Sequence, residues 1–202
     1  MRITAVRTLV IANVLVYPLE FLSHGVLEVW CALWPLQPVD GIRNFHLWQL
    51  VTYAFLHSRH TILHLLFNMF GLWMFGSQVE RVIGPRRLFE VYFASVIAAA
   101  LSQLYVPLLF AAPGEPTIGA SGGVFGLLLV YAYLFPRSKV VPLIPPIPMP
   151  AWLFATLYAG VELVLGVTGT ESGVAHFAHL GGMIGAALVL ARWRLRSARP
   201  RR

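Results

Sequence analysis

Long apolar runs are the feature of this sequence that most limits its fold. Each is close to the ~20 residues that a helix needs to cross the hydrocarbon core of a bilayer. In lipid a helix satisfies its own backbone polar groups. The runs therefore predict an all-α polytopic membrane protein, one domain over residues 1–202, with six transmembrane helices. These are expected at about 3–22, 61–79, 88–110, 119–135, 150–168 and 174–191.

The composition fits a chain whose solvent is the lipid bilayer. Hydrophobic residues make up 58% of the 202 residues and charged residues only 11%, whereas a soluble domain is usually about a quarter charged. The formal net charge of +7 could indicate nucleic-acid binding, but many arginines stand in the tail 192–202, directly after the last run. Such a tail is typical of a cytoplasmic anchor at anionic lipid. We therefore expect contact with membrane lipid and no nucleic-acid partner.

Lysine and arginine residues fall almost entirely on one side of the predicted bundle. Positive loops resist translocation, so that side is predicted to be cytoplasmic. It holds both termini and the loops after the second and fourth runs, with Arg2, Arg7, Arg81, Arg86, Arg87, Arg137 and Lys139. The connections 23–60, 111–118 and 169–173, which hold only Arg43 and Arg59, are expected to face outward. We expect an integral protein of a bacterial inner membrane with cytoplasmic N- and C-termini.

Four polar residues inside the apolar runs are predicted to lie at a similar depth. Polar side chains in a span are costly and mark function or interhelical bonding. With a rise of about 1.5 Å per residue, Ser121 and His179 each lie about 8 Å below the outer surface. By the same rise His64 and Asn68 lie about 5 and 10 Å deep on one helix face. Side chains from three helices are thus expected to converge.

Glycines beside these residues allow the helices to approach closely. Ser121 stands between Gly119 and Gly122, and further glycines follow His179. A glycine-flanked serine alone is more often a packing element. A serine with a histidine at matching depth is different, because serine attacks a carbonyl only when a neighbouring base takes its proton. The pair therefore indicates nucleophilic catalysis.

Four motifs stand in order along the chain. They are His64-x-x-x-Asn68, Gly76-x-x-x-Glu80-x-x-x-Gly84, Ala120-Ser121-Gly122 at the start of a short helix, and Ala178-His179-Leu180-Gly181-Gly182. This set resembles the rhomboid family of intramembrane serine proteases, and the resemblance covers roughly residues 45–190. It implies a six-helix bundle with a short central helix four and an active site that opens outward through a water-filled cavity.

The resemblance implies a role for each converging residue. Ser121 is the expected nucleophile and His179 the expected general base. His64 and Asn68 are expected to donate hydrogen bonds to the oxyanion, together with the Ser121 backbone N–H. The implied activity is an intramembrane serine endopeptidase that hydrolyses peptide bonds in or near transmembrane segments of membrane proteins, without a cofactor.

Other positions shape or depart from the family pattern. Gly119 and Gly122 are expected, by the same resemblance, to shape the backbone of the serine. Phe125 stands where members often have a tyrosine packed on the histidine, and phenylalanine can still stack. Ala186 replaces the usual glycine seven residues after the histidine. The spacing of His57 in the first loop is also unusual, which leaves its role open.

Two functions from other classes stay open. The first is a non-proteolytic member of the same fold that binds membrane clients, and the second is a small channel or carrier that uses the polar cluster as a path. A metal site is also open at His60 and His64, but neither an HExxH pattern nor a nearby carboxylate accompanies them, so none is expected. His176 could be the base instead, although it is predicted only about 3 Å below the surface.

Carboxylates are scarce at the depth of the polar cluster. Glu162 is the one candidate, about 12 Å below the outer surface. It is expected to make a structural hydrogen bond or to line the cavity, so the sequence predicts a dyad with no carboxylate behind His179. Glu80 either lies in a solvated turn or ties down loop structure. The oligomeric state is left open.

Overall fold

A computed structural model describes residues 4–37, 45–109, 115–142, 145–169 and 175–197. Some positions named in the sequence analysis lie outside these residues. They are Arg2, Arg43, the end of the basic tail, and the expected helix boundaries at residues 3, 110 and 174. The helices are α1 (Ala5–Leu22), α2 (Val26–Cys31), α3 (Gln49–Thr52), α4 (Ile62–Gly71), α5 (Ser77–Ile83), α6 (Pro85–Leu109), α7 (Ser121–Leu134), α8 (Ala151–Thr168) and α9 (His176–Ser197).

Two irregular helical turns extend these elements. A 3₁₀ turn, Tyr53–Phe55, continues α3. A π-helical turn, Leu72–Gly76, joins α4 to α5, so that Ile62–Ile83 forms one helical rod. Between α7 and α8 the proline-dense connection forms two short antiparallel strands, β1 (Lys139–Val140) and β2 (Met149–Pro150), with Lys139 paired to Pro150.

The predicted mostly helical membrane fold is confirmed, and a helix occupies each predicted apolar run. By length and composition, four described helical segments can cross a membrane: Ala5–Leu22, Ile62–Ile83, Pro85–Leu109 and Ala151–Thr168. Apolar side chains on their outward faces, such as Leu15 and Val164, are exposed as a lipid-facing surface requires. Helix α7 is apolar but has only 14 residues, and α9 ends in a turn that contains Arg194 and Arg196.

Helix α7 contacts α6, α8, α9 and the π turn. Most of its residues are buried. Close approach to α6 depends on small residues, because a Cβ at Gly123 would overlap the Tyr92 ring and one at Gly126 would overlap Ser95. These contacts fix the position of the N-terminal end of α7.

Glu80 joins two segments that are distant in the sequence. Its carboxylate accepts hydrogen bonds from the backbone N–H groups of Ala5 (2.7 Å) and Val6 (3.0 Å). These donors lie in the first turn of α1, where helical N–H groups have no intrahelical partner. Of the two roles left open for Glu80, the structure shows a tie between α5 and the start of α1.

Candidate active site

The side chains of Ser121 and His179 meet where α7 and α9 begin. Nε2 of His179 lies 2.8 Å from Oγ of Ser121, a hydrogen-bond distance. Ser121 is the first residue of α7, and His179 lies in the first turn of α9. The two residues are 58 positions apart in the chain, so helix packing alone brings them together.

Glycine at two positions makes the approach of α7 and α9 possible. A Cβ at Gly182 would overlap the carbonyl group of Gly122. A Cβ at Gly122 would lie 2.5 Å from the Cβ of Ala99 on α6. Gly122 is therefore enclosed on both sides, which gives a physical reason for glycine next to Ser121.

The other ring nitrogen of His179 faces a buried carboxylate. Nδ1 lies 2.9 Å from Oε2 of Glu162 on α8. The oxygen is out of line with the N–H direction, so among the described contacts Nδ1 makes no hydrogen bond of ordinary angle. An ionised carboxylate only accepts hydrogen bonds, so the proton of the neutral ring belongs on Nδ1. The lone pair of Nε2 then points at Ser121 and can take its proton.

His176 contacts the same carboxylate oxygen. Its Nδ1 lies 2.7 Å from Oε2 of Glu162, and both side chains are buried. The ring in contact with Ser121 is that of His179, so the geometry favours His179 over His176 as a base. The expected structural hydrogen bond of Glu162 is present, to His176. The expectation that no carboxylate lies behind His179 is wrong, because Glu162 also contacts the His179 ring. Helical rise placed Glu162 a few ångströms deeper than His179, but a glutamate side chain is long enough to span that difference.

Phe125 covers one face of the His179 ring. The two ring centroids lie 4.2 Å apart and the planes are nearly parallel, at 2°. Phe125 follows Ser121 by one turn of α7, which places its ring beside the serine. The stack holds the imidazole plane in an orientation in which Nε2 faces Ser121.

His64 carries its ring proton on the nitrogen that faces the site. Its Nδ1 accepts a hydrogen bond of 3.2 Å from the backbone N–H of Ser58. A backbone N–H can only donate, so Nδ1 holds the lone pair and Nε2 holds the proton. Nε2 lies beside Gly119, two residues before Ser121, because a Cβ on Gly119 would be 2.8 Å from it. His64 thus presents an N–H donor next to the serine.

Two further donors lie near this point. Nδ2 of Asn68 donates to the backbone carbonyl of His64 at 2.9 Å and lies 3.8 Å from the position of a Cβ on Gly119. The first backbone N–H groups of α7, beginning with Ser121, have no intrahelical partner. A carbonyl oxygen next to Ser121 can therefore meet N–H groups from α4 and from α7.

Backbone hydrogen bonds hold the segment before Ser121 in place. Thr117 exchanges two hydrogen bonds of 2.9 Å with Leu33, and the N–H of Gly119 donates to the carbonyl of Tyr53 at 3.0 Å. The hydroxyl of Tyr53 donates to the carbonyl of Val96 on α6, and burial raises the pKa of this phenol. Gly119 itself has a φ of +123°, a conformation that L side chains rarely adopt.

His57 lies directly behind His64. Its ring is fully buried, with its centroid 5.1 Å from that of His64. Burial, and then the neighbouring His64, lower the pKa of His57 to about 4. Its backbone N–H donates to the carboxylate of Glu20 at 2.9 and 3.1 Å. The backbone contact ties the first loop to α1, and the ring is held neutral.

A cavity of about 1310 Å³ gives access to these groups. Its lining includes the four converging residues, Ser121, His179, His64 and Asn68. It also runs between α4 and α8, where Phe67, Phe70, Phe154 and Tyr158 make its walls largely apolar. The site thus combines a few polar groups with an elongated apolar groove.

One group of side chains in the described part of the chain has the composition of a metal site. Glu162, His176 and His179 offer ligand atoms within 4.8 Å of one another, and such N and O ligands suit zinc. His60 and His64, the pair considered from the sequence, do not form a three-ligand group with described residues. The same carboxylate contacts also serve hydrogen bonding, which needs no ion.

Residues 44–195, about three quarters of the chain, match the family model described as Rhomboid domain. The matched range contains every residue of the site. The chain belongs to the rhomboid family. The resemblance seen in four short motifs thus extends from α3 into α9.

Curated rhomboid proteins from mitochondria and bacteria are similar to this chain. Rhomboid protein 1, mitochondrial, of Saccharomyces cerevisiae is 36% identical over 127 residues, 62% of this chain and 36% of that protein. RHOMBOID-like protein 12, mitochondrial, of Arabidopsis thaliana is 32% identical over 169 residues, with shares of 77% and 49%. Rhomboid protease GlpG of Pectobacterium atrosepticum is 29% identical over 163 residues, with shares of 79% and 52%. The chain thus spans about a third to a half of the length of these relatives.

Sequence reasoning missed two contacts of the site. The approach of Glu162 to His179 was underestimated, although an acidic residue within an apolar helix was itself a signal for a buried partner. The hydrogen bond from the backbone N–H of Ser58 that places the ring proton of His64 on Nε2 could not be predicted, because nearly every residue has a backbone N–H and the sequence does not mark which one faces the ring.

Proposed function

We propose that this chain is an intramembrane serine endopeptidase that cleaves membrane proteins in or near their transmembrane segments. The observation that carries the proposal is the 2.8 Å contact between Nε2 of His179 and Oγ of Ser121 at the cavity wall. Serine becomes a nucleophile when a base in hydrogen-bond reach accepts its proton. Membership of the rhomboid family and the likeness to a bacterial rhomboid protease support the same activity.

The first half of the reaction forms an acyl-enzyme. Oγ of Ser121 attacks the scissile carbonyl carbon while Nε2 of His179 accepts the hydroxyl proton. The carbonyl oxygen becomes an oxyanion, which the N–H groups of His64, Asn68 and Ser121 stabilise. The C–N bond then breaks, and His179 gives its proton to the leaving amine. The product is an ester between Ser121 and the new carboxyl end.

The second half of the reaction hydrolyses the ester. A water molecule from the cavity attacks the ester carbonyl, and His179 accepts one of its protons. The same donors stabilise the second oxyanion. Collapse releases the carboxylic acid product and returns the proton from His179 to Oγ of Ser121. No step needs a cofactor.

The proposed topology is a single membrane domain with six spans and both termini on the side of the positive loops. Helix α7 is about 21 Å long at 1.5 Å per residue, shorter than the ~30 Å hydrocarbon core. Its contacts with surrounding helices support a short central span that begins below the surface. The relatives named as mitochondrial give no support to the predicted bacterial inner membrane. The proposal therefore keeps only an integral membrane location.

Substrates are proposed to be membrane proteins whose helix end unwinds into the cavity. A continuous helix hides its carbonyl groups in hydrogen bonds, so the scissile bond must lie in an extended stretch. The apolar groove between α4 and α8 suits the adjoining transmembrane residues. Polar donors at one end of the groove would then meet the unwound segment.

A fluorophosphonate probe followed by peptide mapping tests this function. The purified protein in liposomes should be labelled at Ser121 and should cleave a model transmembrane substrate, and Ser121→Ala should do neither. Ser138→Ala is a matched control, because the described contacts of Ser138 use backbone atoms outside the cavity. Absence of both labelling and cleavage in the folded wild-type protein would instead support a client-binding protein of the same fold.

A further inference from the structure

Three buried ionisable side chains from α8 and α9 meet behind the proposed catalytic pair. Oε2 of Glu162 lies 2.7 Å from Nδ1 of His176 and 2.9 Å from Nδ1 of His179. The side chains of all three are about nine-tenths buried, with exposed fractions of 10%, 6% and 11% respectively. A carboxylate in such a place is costly unless it is paired. The hydrogen bond to His176 and the close approach of the His179 ring provide that pairing.

The sequence places the three groups on facing helix surfaces. His176 and His179 are three residues apart on α9, so both rings project from one face. Glu162 faces them from α8. Gly166, one turn after Glu162, keeps the helices close, because a Cβ there would lie 3.2 Å from the Cβ of His176. The carboxylate is therefore confined between α8 and the first turn of α9.

We propose that Glu162 is a positioning residue for His179, held in place by His176, so that the protease acts through a Ser121–His179–Glu162 triad. The inference rests on the proposed function. In place of the expected dyad, the carboxylate of Glu162 contacts Nδ1 of His179, while Nε2 of the same ring contacts Ser121. A carboxylate at that nitrogen keeps the ring in the productive tautomer and stabilises the imidazolium that forms during attack.

The contacts of Glu162 with His176 and with His179 differ in geometry, which gives the two histidines different roles. The contact between Glu162 and His176 meets hydrogen-bond geometry, whereas that between Glu162 and His179 is short but out of line. Catalytic hydrogen bonds are often poorly aligned without substrate and tighten in the complex. His176 thus anchors the carboxylate, and a small rotation of the His179 ring or of the carboxylate completes the second bond as the ring becomes charged.

Glu162→Gln is the test, because glutamine keeps the shape and one acceptor oxygen but removes the charge. We expect kcat and the rate of fluorophosphonate labelling of Ser121 to fall on the order of a hundredfold, with KM changed less than about threefold. The loss stays below the ~10⁴-fold found for a Ser-His-Asp triad, since the resting angle is imperfect. A purely structural role would change the thermal unfolding temperature and leave the labelling rate of the folded protein unchanged.

Glu90→Gln is the matched control. Glu90 on α6 is also an interhelical carboxylate, paired with Arg192 and with the indole N–H of Trp193 on α9, and it does not line the cavity. Its variant should keep both rates within about threefold of wild type, as expected for a pair remote from the site. If Glu162→Gln does not fold, Glu162→Asp is measured instead, since it keeps the charge and withdraws the carboxylate by one methylene.

Two results would overturn the inference. The first is a loss of less than about tenfold in both rates for the folded Glu162 variant, beside an active wild-type enzyme, which would restore the dyad. The second is loss of wild-type activity on chelation and its recovery with zinc, which would make the three side chains a metal site. An inactive wild-type protein that the probe does not label is a different outcome, because it refutes the proposed function itself.

Discussion

Gly119→Ala should impair catalysis through a single new methyl group. Gly119 has a φ of +123°, and a Cβ there would lie 2.8 Å from Nε2 and 3.0 Å from Cε1 of His64. Holding a non-glycine residue in such a conformation costs about 1–3 kcal/mol. The methyl group also pushes the His64 N–H away from the place where the oxyanion forms. Loss of one oxyanion donor lowers kcat about 10²–10³-fold, and we expect a decrease in that range.

A double-mutant cycle separates displacement of His64 from general damage. In a His64→Ala background the clash is absent, so adding Gly119→Ala should lower kcat by no more than about fivefold further. Gly160→Ala on α8 is the control, because that glycine has an ordinary φ and open space around its Cβ position. Its kcat and unfolding temperature should match those of wild type.

The assays are cleavage of a transmembrane substrate in liposomes, the rate of fluorophosphonate labelling, and thermal unfolding. A Gly119→Ala protein with kcat within about threefold of wild type and an unchanged unfolding temperature would refute the reasoning. An equal loss in the wild-type and His64→Ala backgrounds would refute the role of His64 in it.

Four further predictions follow from the geometry. Ser121→Ala and His179→Ala should each abolish cleavage in folded protein. His176→Ala should retain substantial activity, with a loss no larger than that of Glu162→Gln, because His176 acts only through Glu162 whereas His179 contacts Ser121 directly; equal losses for both histidines would reject His179 as the base. His64→Ala and Asn68→Ala should each lower kcat a few tens- to a thousandfold, and normal turnover in both would reject the oxyanion assignment. Phe125→Leu should lower kcat about three- to tenfold while Phe125→Tyr stays near wild type, because the ring stack on His179 contributes about 0.5–1.5 kcal/mol. The contribution of His57 to stability, measured as the difference between wild type and His57→Leu, should be constant above pH about 6.5 and fall by roughly 3 kcal/mol toward pH 4, because the unfolded chain protonates His57 before the folded chain with its pKa of about 4 does. A denaturation series in which this difference does not change with pH would contradict the assignment.

The sequence by itself determined where the helices lie and which side chains could carry chemistry. Apolar runs of spanning length leave the backbone little choice but a helix, since lipid offers it no hydrogen-bond partners. The observed Ala151–Thr168 helix matches the predicted 150–168 closely for this reason. Ser121 and His179 stood out because polar groups are rare and costly in such runs. Their order in the chain and the glycines beside them added the family resemblance.

Only the tertiary structure decided how these groups face one another. Rise along a helix gives the depth of a residue, but the rotation of each helix about its axis and the reach of each side chain depend on packing with the others. The structural hydrogen bond expected of Glu162 is therefore present, to His176, whereas its contact with His179 was not predicted. Glu80 and Ala5 are 75 residues apart, and no local pattern links them. The ring proton of His64 depends on a backbone N–H of a loop, which becomes visible only when that loop is folded against α4.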